Sequence, residues 1–411
     1  MDLLVQKFGG SSLASPARIH AVADLVAQAA RTNRVVVVVS AMGDTTDDLI
    51  VLARSVTEHP PAREIDMLLA TGEQVSASLL SMALHQRGRD AISLTGWQAG
   101  IRTSSTFRAA RIRDIRPDRI RRELEQGRVV IVTGFQGVVG DGEWDEVTTL
   151  GRGGSDATAV ALAASLGCLC RIYTDVEGIY SADPRLAPGA RRLPTVTYEE
   201  MLELAQYGAR VMMPRSVELA QIWRVPLEVT SSFTPGAGTS IGGSMEFANR
   251  IAGVAHQMDV AKVTLVALMD RPGVAAAVFR ALATRHVHAD LIVQNIGHEG
   301  RTDLSFTVAA DDLDIALETI AAVRDEVGAR DVTARTGLAK VSVVGSGLFS
   351  SLDHAATMFS ALSELGVNID IISTSGIRIT CVIDGGHVEE AVRAVHAAFG
   401  LEGEDRWQST A

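Results

Sequence analysis

Basic clusters, paired cysteines and membrane-length apolar runs are missing from this chain of 411 residues. Lys and Arg number 38 against 49 Asp and Glu, giving a formal net charge of -11, and no Lys/Arg block stands out. That lacks the electrostatic footprint of a nucleic-acid or anionic-membrane binder and leaves a small-molecule substrate as the default. The three cysteines, Cys168, Cys170 and Cys381, fit neither a disulfide framework nor the paired spacing of a zinc site. They read as small buried apolar residues. The valine run from Val35 to Val39 is far short of the ~20 residues a membrane-spanning helix needs. The N-terminus MDLLVQKFGG has no basic stretch followed by a long apolar segment, so no signal peptide is expected and the expected setting is cytoplasmic.

What the chain does hold is apolar bulk: 47% hydrophobic against 21% charged residues, enough for packed cores. At roughly 100 to 200 residues per domain, the length calls for two or three domains. From residue 1 to about 245, β-rich runs alternate with helical patterns, the signature of an α/β domain with a mainly parallel sheet. Leu3 to Val5 reads as a strand and Gly9 with Gly10 as a turn. Ser15 and Pro16 then read as N-cap and first position of a helix with Ile19, Val22, Val26 and Ala30 on one face. Arg34 to Met42 reads as a strand buried on both faces. Arg128 to Phe135 and Cys170 to Asp175 read as further strands, and Asp156 to Gly167 as a helix closed by a left-handed glycine. The Gly/Ser/Thr-rich stretch from Thr234 to Ser244 marks the domain boundary.

Beyond it the chain repeats itself. Lys262 of KVTLV matches Lys340 of KVSVV, Phe279 matches Phe359 and His288 matches Asn368, at offsets of 78, 80 and 80 residues. Two copies of a small βαββαβ module are expected, over 262–335 and 336–411, with a strand from 250–261 available to complete the second. Paired modules of this kind suggest a sensor, with sheets that join within the chain or across a dimer.

Two glycine-rich turns carry the chemistry. KFGGSS, from Lys7 to Ser12, ends a strand and opens a helix: its glycines let the backbone approach a phosphate, the helix N-terminus supplies N–H donors and Lys7 adds a full charge. Its spacing is not that of a Walker A loop. GRGGSD, from Gly151 to Asp156, also opens a helix, and there Arg152 can hold a substrate carboxylate with its planar fork while loop N–H groups face an anion. Asp156 has three readings: capping the helix, orienting Lys7 or holding Mg²⁺.

KFGGSS, VVSAMGDTTDDL, LLATGEQVS, VTGFQG, TTLGRGGSDATA and YTDVEGIYSADPR occur in the order seen in aspartate kinases. The chain resembles the shorter, monofunctional type of that family, within the amino-acid kinase superfamily. The resemblance implies a three-layer α/β/α kinase domain over 1–245 followed by two ferredoxin-like ACT domains. It implies phosphoryl transfer from ATP to L-aspartate, giving ADP and 4-phospho-L-aspartate, the first step towards lysine, threonine, methionine and diaminopimelate. Mg²⁺ would come with ATP, with no metal ligand supplied directly by the protein. Lys7, Glu73, Arg152 and Asp156 are the catalytic set so implied. Lys7 would bridge the ATP phosphates above a cradle of Gly9, Gly10 and Ser11. Ser40, Thr46, Glu73, Arg152, Gly153, Gly154 and Ser155 would form the aspartate pocket, with Arg152 taking a carboxylate, and Glu73 meeting the ammonium group and ordering Lys7. Thr174, Asp175, Tyr180, Asp183, Pro184, Arg185 and Arg210 would contact the nucleotide; Arg210 stands where the family often has lysine.

The family's ACT modules resemble sensors for lysine, threonine or both. In the first copy Asp270, Gly273, Val274 and Ala275 lead into a helix whose N-terminus can bind a carboxylate, with Asp290 or Gln294 to meet the ammonium group or side chain. In the second, Asn368, Ile369 and Ser375 occupy equivalent places. The chain departs from the family's common Asn-Ile-Asp at His288, Ala289 and Asp290, and from Ser-Glu-Ile-Arg at Ser375, Gly376, Ile377 and Arg378. The second change removes a charge near the expected effector pocket, so weakened feedback is expected. A homodimer joined partly through the ACT modules is expected too, with Met245 or Met258 placed to start a separate short ACT-only subunit. The rival readings are a kinase for another amino-acid carboxylate and a catalytically silent sensor; Lys7, Arg152 and Asp156 oppose the latter.

Overall fold

A computed structural model describes residues 1–140, 142, 144–208, 211–243, 250–296, 300–348 and 353–403; Arg210 and Met245 lie outside the described residues. The chain divides into two compact units. One comprises Met1–Ile179, Arg192–Gln206 and Arg210–Phe247, the other Tyr180–Arg191, Tyr207–Ala209 and Ala248–Ala411.

The first unit is built on an eight-stranded sheet in the order Thr195–Val196, Thr239–Ile241, Leu227–Ser231, Leu169–Thr174, Asp2–Phe8, Asn33–Val39, Val129–Thr133, Ala91–Leu94. Every neighbouring pair is parallel except Leu227–Ser231 with Thr239–Ile241. Val35 to Val39 are all fully buried, as helices on both faces require. Val35, Val37 and Val39 pack with Ile19, Val22 and Val26 of helix Pro16–Ala29 and with Leu80 and Leu84 of helix Ala62–Gln86. Val36 and Val38 alternate to the opposite face.

Local signals behave as the residues dictate. Ser15 Oγ accepts the Arg18 N–H at 3.3 Å and Pro16 opens the helix, where its missing N–H costs nothing. Gly167, at φ 68°, closes helix Gly154–Leu166 in the left-handed conformation. One expectation changes, and two features go beyond the sequence reading. The KFGGSS turn enters a 3-10 turn, Gly10–Leu13, and the α-helix begins only at Pro16, so its N-terminus does not sit at the glycines. The stretch 234–244 includes strand Thr239–Ile241, whose Thr239 and Ile241 are buried. A separate four-stranded sheet, in the order Ile112–Ile115, Ile101–Thr103, Gln136–Val139, Glu146–Thr149, was not foreseen.

The second unit holds one antiparallel six-stranded sheet, in the order Asp290–Ile296, Arg301–Ala309, Gly253–Met269, Asp331–Val344, Arg378–Asp384, Ile371–Ser375. Its two central strands are long enough to serve both repeats. Gly253 to Gln257 pairs with Val344 to Lys340, while Val260 to Val266 pairs with Leu338 to Asp331. Helices Val274–Thr284 and Leu313–Val327 cover the first repeat, and Asp353–Glu364 with Val388–Ala398 cover the second. Ala182 and Ala187, from the segment Tyr180–Arg191, are buried in the second repeat's core.

Candidate active site

Lys7 lies near the C-terminal end of the central strand Asp2–Phe8, opposite Val38 on one side and Ile172 on the other. A parallel sheet gathers the loops that follow its strands along that edge. Lys7 Nζ is 2.6 Å from Asp156 Oδ1, with both side chains about nine-tenths buried. The helix carrying Asp156 is capped by Gly153, at φ 71°, without a side-chain hydrogen bond. Asp156 is therefore directed at Lys7 rather than acting as a cap. Gly10 is held tightly: a Cβ there would come within 2.9 Å of the Gly43 carbonyl oxygen and 3.0 Å of that of Ala41. The Gly43 N–H donates to the Gly10 carbonyl at 3.1 Å, so the two loops close on each other. Gly9 is looser, its absent Cβ facing Lys7 Nζ at 3.4 Å. Ser12 Oγ, 2.7 Å from Ser232 Oγ, ties the cradle to Thr174, whose carbonyl accepts the Ser232 N–H. Thr174 Oγ1 in turn donates to Asp175 Oδ1 at 3.1 Å. Ser11 is exposed.

Helix Ala62–Gln86 organises the other side. Long and apolar enough on composition alone to cross a membrane, it instead turns a face holding two carboxylates, Asp66 and Glu73, into the unit's interior. Glu73 is 3% exposed and accepts the Ala41 N–H on Oε1 at 3.1 Å, while Oε2 is buried with no hydrogen-bond partner among the described residues. Burial pushes its carboxyl up to about 7, against the pull of the N–H donors. Gly72 permits the approach, since a Cβ there would meet the Ala41 Cβ at 2.9 Å. Two turns earlier, Asp66 accepts from the Arg108 N–H, the Thr149 N–H and the Thr149 hydroxyl, pinning the strand that leads into GRGGSD. Thr133 Oγ1 is likewise buried without a partner among the described residues. Buried oxygens without a protein partner call for a water or a ligand to satisfy them.

Ser40 is anchored through its N–H to the Phe8 carbonyl at 3.1 Å, and Thr46 lies half-buried in the first turn of helix Thr45–Val56. Both belong to the stretch that presents Ala41 to Glu73. Ser155 is buried beside Gly134, where a Cβ would come within 2.8 Å of it, and Gly154 is buried against Leu150 and Phe135. Arg152 is exposed and has no ion pair among the described residues. Lys7 is ordered by Asp156, whereas Glu73 is engaged by Ala41. Asp66, Gly72 and Thr133 were not singled out as site residues. An acidic residue seven positions before Glu73, on a face otherwise apolar, was the available signal for Asp66.

The remaining expected residues belong to the second unit. Tyr180, Asp183, Pro184 and Arg185 fall in its segment Tyr180–Arg191. Asp183 accepts the Arg185 N–H at 2.9 Å and pairs with its guanidinium at 2.7 Å, which holds the carboxyl below the usual range. In the first repeat, Asp270, Gly273, Val274, Ala275 and Gln294 line a cavity of about 300 Å³ at the start of helix Val274–Thr284. Asp290 does not line it. Asn368 and Ile369 precede strand Ile371–Ser375, with Asn368 and Ser375 exposed.

Residues 2–231 match the amino acid kinase family, and residues 263–323 and 341–399 match an ACT domain. The aspartokinase of Mycolicibacterium smegmatis is 49% identical over 98% of both chains, and that of Geobacillus stearothermophilus 48% over 98% of both. The crystal structure of E. coli aspartokinase III in complex with aspartate and ADP is similar with a TM-score of 0.82 at 25% identity, covering 97% of this chain and 100% of that one. An anchored lysine between two glycine turns, a buried glutamate and paired ACT repeats thus coincide with full-length likeness, and the chain belongs to the aspartokinase family.

Proposed function

We propose that this chain catalyses ATP + L-aspartate → ADP + 4-phospho-L-aspartate in the cytoplasm, under control of its ACT repeats. The observation that carries the reading is the buried Lys7–Asp156 ion pair, which joins the KFGGSS and GRGGSD glycine turns. An aspartate side chain, with a reference pKa of about 3.9, is already ionised at neutral pH, so no strong general base is needed. One of its carboxylate oxygens attacks the γ-phosphorus while the bond to the β,γ-bridging oxygen breaks and ADP leaves. Catalysis then rests on in-line positioning and on absorbing charge. Lys7, oriented by Asp156, meets the transferring group, and the turns at Gly9 to Ser11 and Gly153 to Ser155 cradle anions. Arg152, exposed and without an ion pair among the described residues, takes a substrate carboxylate. Glu73, with one oxygen unsatisfied, takes the substrate ammonium group.

Mg²⁺ would come with ATP, held mainly by the nucleotide phosphates, and would neutralise part of their charge. Thr174, Asp175, Tyr180, Asp183, Pro184 and Arg185 are the nucleotide residues in this reading. The cavity at Gly273 takes an amino-acid effector, lysine or threonine, through its carboxylate, and the protein acts as a homodimer. The relative solved with lysine and aspartate, E. coli aspartokinase III, supports an amino-acid effector.

The test is ADP release with L-aspartate and Mg²⁺, trapping the acyl phosphate with hydroxylamine, against parallel arms with glutamate and N-acetylated acids. Aspartate-dependent hydroxamate is expected. Turnover only with another acid would replace the substrate, and no turnover at all would leave a silent sensor.

A further inference from the structure

Ser181 stands two residues before Asp183, in the segment that belongs to the compact unit of the ACT repeats. It is fully buried and bonded on every side. Its N–H donates to the Arg191 carbonyl at 2.9 Å, and its own carbonyl accepts the Val254 N–H at 2.7 Å. Gly253 lets that strand in, because a Cβ there would come within 2.5 Å of the Ser181 carbonyl oxygen. Ser181 Oγ accepts the Arg191 N–H at 3.0 Å and lies 2.8 Å from His396 Nε2. His396 is wholly buried near the end of helix Val388–Ala398, which otherwise turns Val388, Ala391, Val392 and Val395 into the second repeat's core.

A polar ring on an apolar helix face adds little to packing, and His396 Nδ1 has no hydrogen-bond partner among the described residues. The Ser181 hydroxyl is thus the group that His396 serves. Losing it would leave Ser181 Oγ with the Arg191 N–H and a long 3.5 Å contact to the Leu401 carbonyl. The next residues form the compact turn in which Asp183 fixes Arg185 through both backbone and guanidinium.

We propose that His396, through its hydrogen bond to Ser181 Oγ, is a positioning residue for ATP: it sets the path of the chain into the Asp183–Arg185 turn. This rests on the reading of Asp183 and Arg185 as nucleotide contacts. A side chain 211 residues further along the chain than Arg185, in the second ACT repeat, thereby tunes nucleotide affinity without touching the nucleotide.

The experiment compares Ser181→Ala, His396→Leu, His396→Gln, the double variant Ser181→Ala/His396→Leu, and Arg185→Ala in the full chain. KM for ATP, KM for aspartate, kcat and the thermal midpoint are measured for each. Ser181→Ala and His396→Leu are expected to raise KM for ATP roughly 5- to 10-fold, the worth of one hydrogen bond, with KM for aspartate within about twofold. His396→Gln, whose amide can reach Ser181, is expected to recover part of the loss. The double variant should be no worse than the worse single one. If His396→Leu does not fold, Ser181→Ala and His396→Gln carry the test. Arg185→Ala separates the two layers. Should it leave KM for ATP unchanged, the nucleotide reading fails and takes the proposal with it. Should it raise KM for ATP while Ser181→Ala does not, or should both KM values shift together with the thermal midpoint, only the positioning role falls.

Discussion

Lys340 reaches both oxygens of the Asp290 carboxylate, at 2.8 and 2.6 Å, from one ACT repeat to the other. The matching residues reciprocate, with Lys262 Nζ 3.5 Å from Asp370 Oδ1. Each repeat thus lends its lysine to the other's aspartate. The two pairs differ in depth. The Lys340 side chain is 3% exposed and burial pulls its pKa below the ordinary lysine value, whereas Lys262 is 23% exposed and Asp370 is also held by Arg335. Asp290, one of the residues expected to meet an effector, is therefore already engaged.

Removing one partner of the deeper pair strands a buried charge. Asp290→Ala is expected to destabilise the protein by roughly 3 kcal/mol, and Asp370→Ala by about 1 kcal/mol or less. Adding Lys340→Met to Asp290→Ala should recover most of the loss. Urea unfolding of the four proteins measures this, and a neutral Asp290→Ala would show that the pair contributes nothing.

Lys7→Ala is expected to lower kcat by about 10²- to 10³-fold, in the range seen when a group stabilising transition-state charge is removed. Its unfolding midpoint should fall too, because the change strands the buried Asp156 carboxylate, so activity is compared on folded protein. Asp156→Asn should lose activity with it, since the ion pair orients Lys7. An active Lys7→Ala enzyme would remove Lys7 from the phosphate site.

Glu73 makes both stability and affinity depend on pH, in opposite senses. Its carboxyl titrates at about 7 against an ordinary 4.5. Between those values the folded protein keeps a proton that the unfolded chain has released, so stability falls as pH rises through this window and levels off above 7. Glu73→Gln should flatten the slope and stabilise the ligand-free protein at pH 8 by at most roughly 3 kcal/mol. In the unaltered enzyme KM for aspartate should fall from pH 6 to 8, as the charge that meets the ammonium group appears. The variant should lose that trend. Urea unfolding and steady-state kinetics across pH 5 to 8 read both.

Feedback is expected to be weak, and Gly376→Glu to restore it by lowering the concentration of lysine plus threonine that halves activity. Gln294→Ala, which alters the cavity at Gly273, should blunt whatever inhibition exists with uninhibited turnover within about twofold. Strong inhibition of the unaltered enzyme at millimolar effector would refute the role given to Gly376.

Elements with strong local chemistry were legible in the sequence: the Ser15–Pro16 helix start, the valine strand, and the Gly167 stop. Strands of three or four residues carrying charges, such as Ile101–Thr103 and Ile112–Ile115, have too few positions to show a period, and so the four-stranded sheet went unread. The strand Gly253–Met269 was read as two pieces, one within 250–261 and one from Lys262 onward. Its pairing slips between Gln257 and Val260, with Asp259 at φ 57°, and that polar bulge hides the continuity. At the site, the glycine turns announced themselves, but the partner of Lys7 remained one of three options for Asp156 until the fold placed them 2.6 Å apart. Tyr180–Arg191 joins the unit of the repeats through partners far along the chain, Val254 and His396 among them, beyond any local pattern.

The two long central strands of the six-stranded sheet leave no seam between the repeats. A cut near residue 335 would sever hydrogen bonds of both, stranding half of Asp331–Val344 beside a partner it had lost. Neither half can therefore be trimmed or replaced alone without breaking the sheet of the other.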